Sequence, residues 1–198
     1  IDRISNGGKL PLFTSCCPAW IRQAENKYPE LLPNVSTCRS PMSMFGAVVK
    51  EYYKGRLPEG KKKHYHVAIM PCTAKKYEAK RPATDDVLTT RELVRMVKES
   101  GIVFDELEPE SIDMPFGTMS GAGVIFGVSG GVTEAVLRKI ADDGSRTTMA
   151  ALSYSGVRGM EGVKEAFLMH GDREVHIAVV SGLANADLVI KKIQSGEA

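Results

Sequence analysis

Thr14-Ser15-Cys16-Cys17-Pro18-Ala19-Trp20 places two adjacent thiols directly before a proline and a tryptophan. Pro18 suits the first turn of a helix, where its missing N–H leaves no bond unmade. The stretch therefore reads as a loop that delivers cysteines to a helix N-terminus. Unpaired N–H groups and the positive end of the helix dipole favour thiolate over thiol there, and thiolate is the form that binds iron. Adjacent side chains on a helix point about 100° apart, so Cys16 and Cys17 have separate duties. One can hold a metal while the other faces something else.

A second stretch, Met70-Pro71-Cys72-Thr73-Ala74-Lys75-Lys76-Tyr77-Glu78, supplies a partner. On a helix, Cys72, Lys75 and Glu78 are spaced three apart and share a broad face. A metal-binding thiolate, a cation and a carboxylate on one face suit an anionic cofactor with a proton to move. Val67–Met70 reads as a buried strand by its length and branching and ends at Pro71-Cys72. Leu10–Phe13, a short apolar run, reads as the strand that leads to the first cysteines.

Between and beyond these stretches, strand and helix signals alternate, which argues an α/β fold. A helix is expected from Pro18 to about Leu32, with Trp20 and Tyr28 in the core and Pro29 and Pro33 limiting its end. Ser40 as N-cap and Pro41 at the first position start a second helix reaching about Tyr53. Its Met44, Phe45, Val48 and Val49 are apolar, and Met42 and Met44 read as gap-filling core residues. Cys38 reads as a plain buried or half-buried thiol. His64 and His66 lack a second ligand pair at metal spacing and are structural. Lys61-Lys62-Lys63 reads as a solvated basic loop rather than a dock for an acidic electron carrier.

Val87–Thr89 is a strand, and Thr89 with Glu92 forms a capping box for a helix over Leu93–Ser100. Glu106–Met119 is acidic, broken by proline, and reads as a surface loop. In the glycine-rich run Gly121–Gly131 the third glycine comes one residue late for G-x-G-x-x-G, and no acidic ribose partner follows a clear strand. Close backbone approach to something bulky explains the glycines better, with a helix following from about Val132 to Ala141. Thr148–Tyr154 reads as a strand. Ala166–His170 and Arg173–Val180 read as a hairpin around Gly171-Asp172, and Leu183 to about Gln194 as the last helix.

Composition bounds the class. With 43% hydrophobic and 25% charged residues and a net charge of +2, the chain is neither disordered nor nucleic-acid-like. No apolar run spans a bilayer and no signal peptide shows, so the expected location is cytoplasmic. The chain opens at Ile1, which leaves a lost leader and a periplasmic location open. Four cysteines, two of them adjacent, make a poor disulfide framework and read as reduced thiols. The length suits one domain or two intertwined lobes, with the sharpest boundary within 55–65.

TSCCPAW followed by MPCTAKKYE resembles the first two cysteine signatures of the [FeFe]-hydrogenase catalytic domain. VSTCRSPMSMFGAVVKEYY, DDVLTTRELVRM, SGAGVIFGVSGG, VRGMEGVKEA and VSGLANADLVIKKIQSGEA are similar to the same domain, in family order. The resemblance implies two sheet-and-helix lobes flanking a cofactor cleft. It also implies an H-cluster, in which a [4Fe–4S] cluster is joined through a cysteine to a di-iron subcluster carrying CO, CN and azadithiolate. The implied reaction is reversible reduction of protons to H2, with electrons from ferredoxin or a fused iron–sulfur domain.

By the same resemblance, Cys17 and Cys72 are cubane ligands, and Cys16 passes protons to the bridging amine. Lys75 holds an iron cyanide, and Glu78 and Ser36 belong to the proton relay. Met70, Pro71, Phe126 and Gly127 line the di-iron pocket. A [4Fe–4S] cube needs four thiolates, and the signature carrying the remaining two is expected just after the SGEA ending. Residues 1–198 therefore resemble a partial H-cluster domain, whose partners would be the remaining parts of the hydrogenase chain and maturation proteins. Met42 stands where catalytic members usually carry glutamine. A hydrogen-sensing relative, a cluster-assembly relative and an inert, metal-free fragment are the competing readings.

Overall fold

Helix starts carry the strongest local signals, and three of them stand where the sequence puts them. In a computed structural model that describes residues 3, 6–57, 59–60, 63–81, 83–118, 120–128, 130–140, 162–170 and 173–197, helix α1 (Pro18–Lys27) begins with Pro18 in its first turn and Cys17 as its N-cap. Helix α2 (Pro41–Tyr53) is capped by Ser40, whose hydroxyl accepts the Ser43 N–H. The Thr89 hydroxyl accepts the Glu92 N–H at 3.2 Å, and Glu92 Oε2 accepts the Thr89 N–H at 2.8 Å. This reciprocal box opens the helix Thr90–Glu99. The chain divides into two compact units, one of Asp2–Glu110 and one of Ser111–Ala198 with Ile1. Residues 55–65 belong to the first.

In the first unit, strand β1 (Val67–Met70) runs parallel to β2 (Asp86–Thr89), with Ala68 opposite Val87 and Met70 opposite Thr89. Parallel neighbours need a crossover, and helix α3 (Ala74–Glu78) lies in it. Met42 of α2, Ala68 and Val87 form the buried core here, with Met70 and Ala79 packed against it. α2 approaches closely because Gly46 faces inward: a methyl there would lie 2.5 Å from the Ala83 carbonyl oxygen and 2.9 Å from the His66 ring. The inward face of α2 is thus Met42, Ser43 and Gly46. Met44, Phe45 and Val48 are exposed, which corrects the expectation of Met44 in the core. Apolar residues on this helix outnumber those its one packed face can bury.

Two further expectations are corrected here. The first helix stops at Lys27, and Pro29–Asn34 continues as a 3₁₀ turn, because Pro29 and Pro33 cannot donate to an α ladder. Tyr28 is buried as expected, and half-buried Trp20 meets the Phe13 ring at 5.5 Å between centroids. Residues 10–13 form no strand; Phe13 makes a single parallel bridge to Val35. Pro11 removes a donor from this run, and the Asn34 side-chain amide covers its carbonyl instead, at 2.8 Å. Cys38 is exposed rather than buried, since it lies on the open loop beyond that bridge.

In the second unit, α5 (Gly121–Ile125) follows α4 (the Thr90–Glu99 helix) in chain order and is capped by the Ser120 hydroxyl. Helix α6 spans Gly131–Ile140. The expected close approach in the glycine run occurs at Gly131, where a methyl would lie 1.8 Å from the Ile125 carbonyl oxygen. The neighbour there is the chain's own backbone. Strands β3 (Val163–His170) and β4 (Arg173–Val180) form the antiparallel hairpin, His170 opposite Arg173, and α7 spans Leu183–Ser195. The strand expected at Thr148–Tyr154 lies outside the described residues. Among the described residues no helix is long and apolar enough to cross a membrane.

Gly46→Ala is expected to lower the unfolding free energy by about 1–3 kcal/mol through overpacking. Gly121→Ala, whose methyl meets nothing within 4 Å, should stay within about 0.5 kcal/mol of the parent in the same urea titration.

Candidate functional site

The site of the first unit is assembled from two loops and one short helix. The Phe13–Val35 bridge is made by the Phe13 N–H on the Asn34 carbonyl at 3.0 Å and the Ser36 N–H on the Phe13 carbonyl at 2.8 Å. It sets the Cys16-Cys17 loop beside the loop that holds Ser36 and Cys38. The Ser15 hydroxyl donates to the Cys38 carbonyl, and the Ser36 hydroxyl accepts the Cys38 N–H at 3.2 Å. Cys17, at the start of α1, is exposed and Cys16 is half-buried. Cys72 is exposed just before α3, and its carbonyl accepts the Lys75 N–H at 3.2 Å.

Helix α3 has five residues and presents Lys75 and Glu78 on one face. The Lys75 ammonium donates to Glu78 Oε2 at 2.6 Å and to the Cys16 carbonyl at 2.8 Å. That second bond crosses 59 residues of sequence and joins the two cysteine stretches. The other Glu78 oxygen, Oε1, accepts the Ser43 hydroxyl at 2.6 Å and the Ser40 hydroxyl as well. Both serines belong to the N-terminal turn of α2, whose dipole end also favours an anion. Glu78 is 6% exposed. Burial pushes its carboxyl up, but hydrogen bonds from Lys75, Ser40 and Ser43, with the Lys75 charge, outweigh it and hold the carboxyl below its ordinary value.

The structure thus brings Cys16, Lys75 and Glu78 together, with Cys17 and Cys72 on the two joined stretches. Ser36 makes its bond to Cys38, and the serines on Glu78 are Ser40 and Ser43. Sequence reasoning read Ser40 only as a cap and passed over Ser43. The available signal was two hydroxyls at the start of a helix, where an anion from elsewhere is welcome. Met70 is half-buried against the Met42–Ala68–Val87 core, and Pro71 is exposed. Phe126 and Gly127 stand in the second unit, just past α5. His64 and His66 have structural contacts, with the Tyr53 carbonyl at 2.6 Å and the Ala83 carbonyl at 3.3 Å.

The donor set suits iron in part. Two exposed thiols lie on the stretches joined by a half-buried cation, which matches thiolate ligation beside a negatively charged ligand. Among the described residues no three or more His, Cys, Asp or Glu are grouped so as to hold a metal ion. Cys17 and Cys72 are the exposed thiols of the two cysteine stretches that Lys75 joins.

A fold and site of this kind define an α/β protein with paired cysteine loops, and comparison with known proteins names the class. The family described as iron only hydrogenase large subunit, C-terminal domain, matches residues 1–198. Iron hydrogenase 1 of Clostridium pasteurianum is 43% identical over 204 residues, covering 99% of this chain and 35% of that protein. The periplasmic [Fe] hydrogenase large subunit of Nitratidesulfovibrio vulgaris is 41% identical, covering 100% and 49%. A solved apo [FeFe]-hydrogenase variant from Chlamydomonas reinhardtii is 35% identical and superposes with a TM-score of 0.73, covering 100% of this chain and 58% of that one. A cytosolic iron-sulfur assembly component of Pongo abelii is more distant, at 32% identity. The chain belongs to the iron-only hydrogenase large-subunit family and has its α/β fold. It spans less than half the length of the curated relatives it matches.

Glu78 is held below its ordinary value near 4.5, so the stability it contributes is present above that pH and is lost as pH falls through the folded value. Glu78→Gln should lower stability at pH 7 by about 3 kcal/mol, because it leaves Lys75 without its carboxylate. It should also flatten the loss of stability below pH 4.5. Urea unfolding of both proteins from about pH 2 to about pH 7, a range that extends roughly two units below and above an ordinary carboxyl's titration, checks this.

Proposed function

We propose that this chain forms part of an [FeFe]-hydrogenase that reversibly reduces protons to H2 with electrons from ferredoxin or a fused iron–sulfur domain. The observation that supports it is the Lys75 ammonium, which ties the Cys16 carbonyl to Glu78 and so joins the two stretches on which Cys17 and Cys72 stand exposed. Cys17 and Cys72 would hold a [4Fe–4S] cluster, with its other two thiolates coming from the part of the relatives that this chain does not span. Lys75 would face a cyanide of the di-iron subcluster, which also carries CO and azadithiolate, and Met70, Pro71, Phe126 and Gly127 would line its pocket. When bound, this H-cluster would relay electrons from or to that donor and supply the metal centre for making or splitting H2.

The chain's own groups do the rest. Cys16, half-buried between solvent and interior, offers a thiol that can hold and pass a proton. Glu78, which shares the Lys75 ammonium with the Cys16 carbonyl, and Ser36, on the stretch bridged to Phe13, are proposed as further stations for protons. The Lys75 ammonium offers a charge-assisted hydrogen bond to an anionic ligand, which is strong where water is scarce. Maturation proteins would deliver the di-iron part.

The likeness to a cytosolic iron-sulfur assembly component favours a second reading, a protein that carries a cubane and turns nothing over. Such relatives typically lack a cysteine at the Cys16 position, so Cys16 weighs toward the enzyme. Full-length protein, matured without oxygen, should show infrared bands of iron-bound CO and CN and evolve H2. A cubane without those bands would overturn the hydrogenase reading in favour of the assembly one.

Two sets of variants separate the roles. Cys17→Ser and Cys72→Ser should lower bound iron. Cys16→Ala should keep the iron and cut H2 evolution by about 10²- to 10⁴-fold, the usual reach of one acid–base group. Iron counts and gas chromatography read the two outcomes.

A further inference from the structure

Glu78 is more completely engaged than a group that merely carries protons needs to be. Its Oε1 accepts the Ser40 and Ser43 hydroxyls, its Oε2 accepts Lys75, and only 6% of the residue is exposed. Ser40 is itself fixed, since its oxygen also accepts the Ser43 N–H as the cap of α2. The carboxylate is thus pinned to the start of a 13-residue helix and cannot turn without breaking bonds at both oxygens.

Lys75 has four rotatable side-chain bonds and, unrestrained, would lose most by ordering. An ammonium has three N–H bonds. One goes to Glu78 and one to the Cys16 carbonyl, and with two directions set the third is set by tetrahedral geometry. We propose that Glu78, gripped by Ser40 and Ser43, is a positioning residue that holds Lys75 across the two cysteine stretches and so aims its remaining N–H at an anionic ligand. The helix start of α2 thereby determines where the cation of the site stands. This role rests on the proposed function only for the identity of the anion. The arrangement of Lys75 is a property of the chain itself.

The test uses full-length protein, first metal-free and then loaded. In the metal-free protein, acetic anhydride labelling read by mass spectrometry reports the Lys75 amine directly. Lys75 should label about tenfold more slowly than Lys54, as expected for an amine held by a charge-assisted bond; the Lys54 side chain is 76% exposed. Glu78→Gln and Ser43→Ala should bring the two rates together, and Ser43→Thr, which keeps the hydroxyl, should restore the difference. Ser43→Ala removes a single hydroxyl and serves if Glu78→Gln does not fold.

In the loaded protein, the same variants should shift and broaden the iron-bound cyanide bands. They should also lower kcat about 100-fold through misplacement, with KM for the electron donor unchanged. Equal labelling of Lys75 and Lys54 in the parent, or slow labelling of Lys75 in the folded variants as well, overturns the positioning role. Cyanide bands that do not move in labelling-sensitive variants overturn the aim of the third N–H. A parent with no cyanide bands at all defeats the hydrogenase reading, and the labelling still decides the arrangement of Lys75.

Discussion

One ammonium in a nearly dry setting organises the first unit. Lys75 meets a carboxylate on its own helix and a carbonyl 59 residues away. Without the pair of contacts, α3 would be a five-residue helix in a crossover, too short to hold itself by propensity. With them, the loop that carries Cys16 and Cys17 is referenced to the helix that follows Cys72. Burying a lysine and a glutamate is costly unless geometry and further hydrogen bonds repay the lost hydration. Here the two serines of α2 provide those further bonds, so three separate stretches of chain contribute to one pair of a buried carboxylate and a half-buried ammonium. That cost makes sense where a fixed positive charge is required at one point.

The surrounding fold serves the same end. β1 stops at Met70, and the parallel register with β2 leaves Pro71 and Cys72 at the carboxyl end of the strand. Ligand-binding groups gather at that end of parallel sheets, where loops leave the strands and helix starts face inward. The close approach of α2 at Gly46 brings Ser40 and Ser43 within reach of Glu78. A larger residue at 46 would move the same helix start from which the carboxylate is held.

What was legible in the sequence was local. Pro18, Ser40-Pro41 and the Thr89–Glu92 box each decide their own helix start within four residues, and tertiary context did not override them. The Arg173–Val180 hairpin partner was legible for the same reason, being set by alternation and a two-residue turn. The pairing of TSCCPAW with MPCTAKKYE carried the family. Partnerships made at a distance were not legible. Met44 looked like core because it is apolar on a helix, but only packing reveals which face Gly46 turns inward. Ser43 looked ordinary because its partner lies 35 residues downstream. Cys38 looked buried because cysteines usually are, while its loop in fact runs along the outside of a single backbone bridge.

That bridge has a mechanical side. Phe13 and Val35 share one rung, closed by two N–H···O bonds and reinforced by the Asn34 amide, by Arg3 on the Asn34 and Val35 carbonyls and by the Ser15 hydroxyl on the Cys38 carbonyl. Three residues past Phe13 comes Cys16, and one past Val35 comes Ser36. Any tilt of the rung carries the thiol and the hydroxyl together, as two pointers on one axle. The Cys16 end of the rung is tied a second time, by the Lys75 ammonium on its carbonyl, while the Ser36 end carries no such tie to Lys75 among the described contacts.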